Sequence, residues 1–162
     1  MPATLEQFTG RYLFALAATP APDRPILAIL TVEPKDGDTP GGNVHFEPLA
    51  IKDPMSTVGV KNEGTFELIG TELTVPSFRV VLPGNANPVQ EGLDVEAELL
   101  LSGLVCNLEE SVGVPSFCGT AAGNITIPLT LPLEGSTFGA IRIEDGKPWP
   151  TSFASCEQAV KP

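Results

Sequence analysis

GLDVEAELLLSGLVCNLEESVGVPSFCGTAAGNITIPLTLPL, residues 92–133, decides the fold of this chain. In its first part Val95, Ala97, Leu99 and Leu101 alternate with Asp94, Glu96 and Glu98. In its last part Ile125, Ile127, Leu129, Leu131 and Leu133 alternate with Asn124, Thr126, Pro128, Thr130 and Pro132. A period of two over that length marks a strand with one face in a core and the other in water. The stretch therefore reads as two long strands joined by a polar loop that carries Cys106 at one end and Cys118 at the other.

Working outward, the chain repeats strand chemistry in shorter pieces. Residues 11–18 place Tyr12, Phe14 and Leu16 between Leu13, Ala15 and Ala17, and residues 26–33 form a β-branched run. Neither has a polar face, so both are expected to be covered on two sides. The proline-rich residues 19–25 separate them, and turn chemistry over 33–42, with Asp36 and Gly37 as a hairpin pair, leads into a third strand at 43–51. A surface loop over 52–62, a short strand at 64–70 and a longer one at 71–82 bent at Pro76 follow, then a turn at 83–88. Residues 135–144 supply an eighth segment. The ends are a short turn over 1–9, where Thr4 and Gln7 have capping-box spacing, and an edge segment over 147–162, where Pro148 and Pro150 remove ladder donors.

About eight strands at short spacing, with no long amphipathic helix, imply one all-β domain over residues 1–162. We expect an antiparallel meander β-barrel, with a two-layer β-sandwich as the alternative. Pro128 and Pro132 would remove donors along one edge of one strand, so the barrel is expected to be open or gapped beside it.

The 20 acidic residues against 9 basic ones give a formal net charge of -11. Nucleic acid and anionic lipid headgroups repel such a surface, so neither is an expected partner. Cations and basic partners fit it, and so does an acidic surface that only keeps the protein soluble. No run approaches the ~18 apolar residues of a membrane span.

Three cysteines cannot all pair within one chain. Cys106 and Cys118 flank one strand connection, and a bridge between them would remove loop entropy worth about 3 kcal/mol. Cys118 with Cys156 is the competing pairing. One disulfide and one free thiol place the protein in oxidising surroundings: periplasm, cell surface or medium. The opposing reading is three reduced buried thiols in a cytosolic protein. Residues 1–4 have no charged region leading to a hydrophobic one, so export would require a leader or lipoprotein tether ahead of Met1.

Chemistry-bearing motifs are sparse. There is no Cys-x-x-Cys pair and one histidine, so zinc is not expected, and neither is any other metal or cofactor. Asp36 and Asp38 could offer oxygens to calcium, but six to eight are needed. His45 with Glu47 two residues on could act as a base, yet half-exposed strand positions commonly look the same. No Gly-x-Ser-x-Gly elbow occurs, and no catalytic residue is assigned. The acidic stripe of Glu91, Asp94, Glu96 and Glu98 reads as a solvated face that discourages edge pairing. Trp149 is expected to stack on Arg142.

Phe8-Thr9-Gly10-Arg11-Tyr12 resembles the Gly-x-Trp opening of lipocalin-like (calycin) barrels, with Tyr12 in the tryptophan position. The pattern from Phe117 to Gly119 and from Gly135 to Gly139 is similar to secreted or lipoprotein β-domains of environmental bacteria that lack an assigned function. These resemblances imply a barrel and export more than an activity. The first functional expectation is a noncatalytic extracytoplasmic barrel holding a small hydrophobic molecule among Tyr12, Phe14, Phe46, Phe66, Phe78, Leu99 and Ile127. The second is a structural or interaction domain with a packed interior, whose outer residues Leu13, Ala15, Ala17, Leu27 and Ile29 meet a partner or another copy in a homo-oligomer. The third is an isomerase or cyclase using a barrel cavity.

Overall fold

The structure is a computed structural model and describes residues 8–18, 24–35, 41–53, 55–59, 61–88, 92–106, 116–127, 130–144, 146 and 148–149. Its strands are β1 (Gly10–Ala17), β2 (Ile26–Lys35), β3 (Gly41–Pro48), β4 (Asn62–Ile69), β5 (Glu72–Leu82), β6 (Val95–Cys106), β7 (Ser116–Ile127), β8 (Leu131–Pro132) and β9 (Ser136–Arg142). All pair antiparallel, from β1 through β7 in chain order. β9 then inserts between β7 and β1 and closes the ring. The result is a closed eight-strand meander barrel with β8 as an added ninth strand.

Closure corrects the expectation of an open or gapped barrel. The long second strand stops at Ile127, and Leu131–Pro132 pairs with Asn124 and Ile125 as a two-residue strand of its own. Pro132 thus sits at the terminal edge of the sheet, where a missing N–H breaks no ladder. Gly123, at φ 110, accepts from the Leu133 N–H at 2.8 Å, so β7 passes from β9 to β8 without leaving the sheet.

Strand parity sets the layers. Tyr12, Phe14 and Leu16 of β1, Ala28, Leu30 and Val32 of β2, Val44 and Phe46 of β3, and Phe138 and Ala140 of β9 all fall in one buried interior cluster. A second, outer cluster holds Leu13, Ile29, Leu49 and Ile143, with Leu27, Ile141 and Trp149 packed against it. The two apolar faces of β1 and β2 are therefore both covered, as their lack of a polar face predicts. The bend at Pro76 is a register shift between Val75 and Phe78. The turn at 83–88 contains a 3-10 turn, Gly84–Ala86, tied down by Gly84 N–H to Asp94 Oδ1 at 2.7 Å and Asn87 Nδ2 to the Leu93 carbonyl at 2.9 Å.

The Asp36–Gly37 hairpin, the calcium ligands Asp36 and Asp38, Thr4 to Gln7 and most of the C-terminal edge segment lie outside the described residues, although Phe8 itself is helical.

Candidate functional site in the barrel interior

Eight aromatic rings run through the interior as one connected network. Phe66 meets Phe8 at 5.5 Å between centroids, Phe8 meets Tyr12 at 5.6 Å and Phe117 at 5.3 Å, and Tyr12 meets Phe117 at 4.9 Å. Phe117 meets Phe138 at 6.0 Å, Phe138 meets Phe14 at 5.6 Å, Phe14 meets Phe46 at 5.3 Å, and Phe46 meets Phe78 at 6.5 Å. Most are edge contacts, in which the positive rim of one ring faces the negative face of the next. The rings span the strands from β1 to β9 and contact one another across the interior.

Of the seven residues expected to line a ligand chamber, Tyr12, Phe14, Phe46, Phe66, Phe78 and Leu99 are all buried in this cluster. Ile127 does not join them and is 49% exposed. A register shift between Glu96 and Ala97 sets Ile127 opposite Glu96, and that extra step turns its side chain to the outer face. Three rings escaped the sequence reading. Phe8 lay in the N-terminal turn, Phe117 in the presumed polar loop beside Cys118, and Phe138 in a glycine-rich segment without clear alternation.

One end of the barrel is plugged. Phe8 packs over Tyr12, Phe66 and Phe117, and the Tyr12 hydroxyl donates to the Phe8 carbonyl at 2.8 Å. Arg142, opposite Tyr12 in the β1–β9 register, donates from Nη2 to the Thr9 carbonyl at 2.6 Å and to the Tyr12 oxygen at 3.3 Å. Its guanidinium carbon lies 5.5 Å from the Tyr12 ring centroid. The expected stack on Trp149 is thereby corrected, because Arg142 points inward with Tyr12 while Trp149 belongs to the outer cluster. Gly10 makes room: at φ 143, a Cβ there would stand 3.2 Å from Arg142 Nε. Burial pushes the Tyr12 hydroxyl up to about 12, against the opposing pull of the Arg142 charge and hydrogen bond.

The opposite end is lined by smaller groups. Ala18, Ala28 and Ala121 are buried there, with Ile26, Ala97 and Ile125 half-buried against the core. Buried Asn62 closes its own hydrogen bonds across three strands, giving Nδ2 to the Phe46 carbonyl at 3.2 Å and accepting the Val81 N–H on Oδ1 at 2.9 Å. On the outer wall a small apolar cleft of about 110 Å³ is lined by Pro25, Leu27, Leu49, Ala50, Ile51, Ala86 and Pro88.

The other candidate groups stay dispersed. His45 faces outward between Glu33, 3.4 Å away, and Glu63, 3.5 Å away, carboxylates from the two flanking strands rather than Glu47. Glu96 pairs with Arg79, and Glu98 accepts from the Ser77 hydroxyl at 3.2 Å. Among the described residues no three His, Cys, Asp or Glu side chains gather as a metal site. No helix among them is long and apolar enough to cross a membrane. Cys118 is disulfide-bonded, and the side chains of both other cysteines fall outside the described residues. Comparison with family models, curated proteins and solved structures finds no match to this chain.

Proposed function

We propose that this protein is a noncatalytic, extracytoplasmic β-barrel that works as a structural or interaction domain through its outer surface. The observation that carries this reading is the connected set of eight aromatic rings: groups that would greet an apolar ligand are already in contact with each other. An eight-stranded barrel is just wide enough to fill itself with side chains or to hold one small ligand, and rings in mutual contact favour the first. The oxidised Cys118 supports a periplasmic, surface or secreted setting.

The outer residues first expected to meet a partner include Leu13, Ala15 and Ile29, all buried within the chain itself. Contact chemistry is offered instead by Ile69 and Leu104, 63% and 50% exposed, which flank Glu72 on adjoining strands. They suit a partner, or a second copy, with an apolar spot beside a basic group.

A second reading draws on the small side chains at the end opposite Phe8. Ala18, Ala28, Ala97 and Ala121, rimmed by Ile26 and Ile125, would suit the tip of a small hydrophobic molecule.

A small apolar probe, benzene, separates the readings in a calorimetric titration of the native protein and of Phe14→Ala. The packed-core reading expects no saturable binding by the native protein. It expects one-to-one binding by the variant, because a dry cavity lined by apolar groups accepts such a probe. Saturable binding by the native protein, abolished by Ala121→Phe, would move the assignment to a ligand carrier.

A further inference from the structure

Two apolar features sit at opposite ends of the barrel wall, one standing out and one let in. Gly10 pairs with Val32, Lys35 with Gly41 and Gly41 with Glu67, so the end of β4 and the start of β5 share the barrel end that Phe8 plugs. There Ile69 pairs with Glu72 across the hairpin turn, and Glu72 pairs with Leu104. Directly paired residues share a face, so the three form one outer row, apolar on both sides of a carboxylate. Ile69, 63% exposed, is the most exposed large apolar side chain among the described residues. Gly70 beside it, at φ 64, has open space where a Cβ would stand, so the turn protrudes as a knob.

The outer cleft lies at the other end. Leu27 stands near the start of β2 and Leu49 just past the end of β3, and Ile51, Ala86 and two prolines complete the lining. Backbone bonds fix its walls, from the Leu49 N–H to the Leu27 carbonyl at 3.0 Å and from the Ile51 N–H to the Asn85 carbonyl at 2.9 Å. At about 110 Å³ it falls well below the ~300–1,000 Å³ of pockets for drug-sized ligands, so its size suits one aliphatic side chain. Exposed Arg24 and Lys52 adjoin the lining residues Pro25 and Ile51 in the chain. With Asp23 and Asp53 counted, residues 23–27 and 48–53 are neutral in sum on a chain of net charge -11. The Asp53 carboxylate already accepts from the Ser56 hydroxyl at 2.6 Å. Glu72 of the knob would thus meet two cations beside the cleft, where most of the chain offers an excess of acid.

We infer that the knob at Ile69 of one copy seats in the cleft at Ile51 of the next, so that this protein's partner is a second copy of itself bound head to tail. The inference rests on the outer surface being the working surface, and it names what that surface meets. The two halves of the contact are different patches at opposite ends, so the interface is heterologous. Each added copy still offers one knob and one cleft, and association continues into a chain or closes as a ring. One side chain and one set of charges make a small contact, which belongs to the weak class. The net charge of -11 on each copy opposes it at long range. At about 0.15 M salt the Debye length is ~8 Å, which screens that distant repulsion more than charges in contact.

The test is sedimentation equilibrium of the full chain at physiological salt, from about 10 μM to about 1 mM, the range in which a weak contact forms. The mean mass of the native protein should rise with concentration without levelling at a dimer. Ile69→Lys sets a cation opposite Glu72 and against Arg24 and Lys52, and Ala50→Trp fills the cleft. Each variant alone should stay monomeric, a loss of at least about tenfold in affinity. Mixed, they should form a one-to-one dimer and stop, because each pair holds one intact knob and one intact cleft. Ile51→Gln, at an exposed position, repeats the cleft test if Ala50→Trp does not fold. A native chain that stays monomeric to about 1 mM, a native mass that levels at a dimer, or a cleft variant that associates as the native chain does would overturn the inference. The benzene titration reports the interior and not this contact. A monomeric native chain that binds no benzene therefore sinks the head-to-tail contact and leaves the packed-core reading standing, and an associating chain that binds benzene does the reverse.

Discussion

Phe117→Ala is expected to destabilise the barrel by about 4 kcal/mol, a large share of the ~5–15 kcal/mol that holds a domain folded. The ring is fully buried and touches three others: Phe8, Tyr12 and Phe138. Its removal loses apolar transfer energy and leaves a cavity that rigid strands cannot close. It also removes three ring contacts worth roughly 0.5–1.5 kcal/mol each, which are not simply additive. Phe8 would lose part of its seat over the barrel end. Denaturant titration should show a lower midpoint for Phe117→Ala, with a smaller loss for Phe117→Leu. A change below about 1 kcal/mol for the alanine variant would mean that the network is not the core of this fold.

Stability is expected to fall steeply between pH 10 and 12. Tyr12 holds its proton more tightly in the folded protein, with its hydroxyl pushed up to about 12 from the ordinary 10.0. The folded state thus binds the proton where the unfolded state has begun to release it. That contribution is fully present below pH 10 and is lost as pH rises towards 12, on the order of 2–3 kcal/mol in total. Tyr12 is the only tyrosine, so tyrosinate absorbance reports it alone. The absorbance should appear together with unfolding. Tyr12→Phe should cost about 1 kcal/mol at neutral pH through the lost bond to the Phe8 carbonyl, and it should remove the alkaline drop. Titration near 10 in a protein that stays folded would contradict the buried plug.

The sequence made the barrel legible because alternation is local. Val95 to Leu101 reads as a half-buried strand without reference to any neighbour, and it forms part of β6. The lack of polarity in residues 11–18 and 26–33 likewise announced two covered faces, which the inner and outer clusters supply. What pairs across strands was not legible. Arg142 meets Tyr12 because β9 inserts beside β1, a choice made by closure and invisible in the thirteen decades of residue numbers between them. The bulge opposite Glu96 that turned Ile127 outward inserts Thr126 into β7, and the alternation of residues 124–127 runs straight through it. Phe8, Phe117 and Phe138 each stood outside an alternating run, and the ring network could be seen only once the strands were in register.

Alternation also misled where proline interrupted it. The apolar positions from Ile125 to Leu133 keep parity, yet the strand ends at Ile127 and Leu131–Pro132 turns back against its own neighbour. Only the two ends of this run face the core: Ile125 is half-buried against the interior cluster and Leu133 is buried in it, while Ile127 and Leu131 are exposed.

The central claim, that the interior is occupied by its own side chains, is tested most directly by intact mass measured on the protein purified from its producing cells. The mass is taken under native conditions and again after denaturation. The packed aromatic core predicts the same mass in both. An additional mass that is present in the native protein and lost on denaturation would contradict it, and would identify the barrel as a carrier of that molecule.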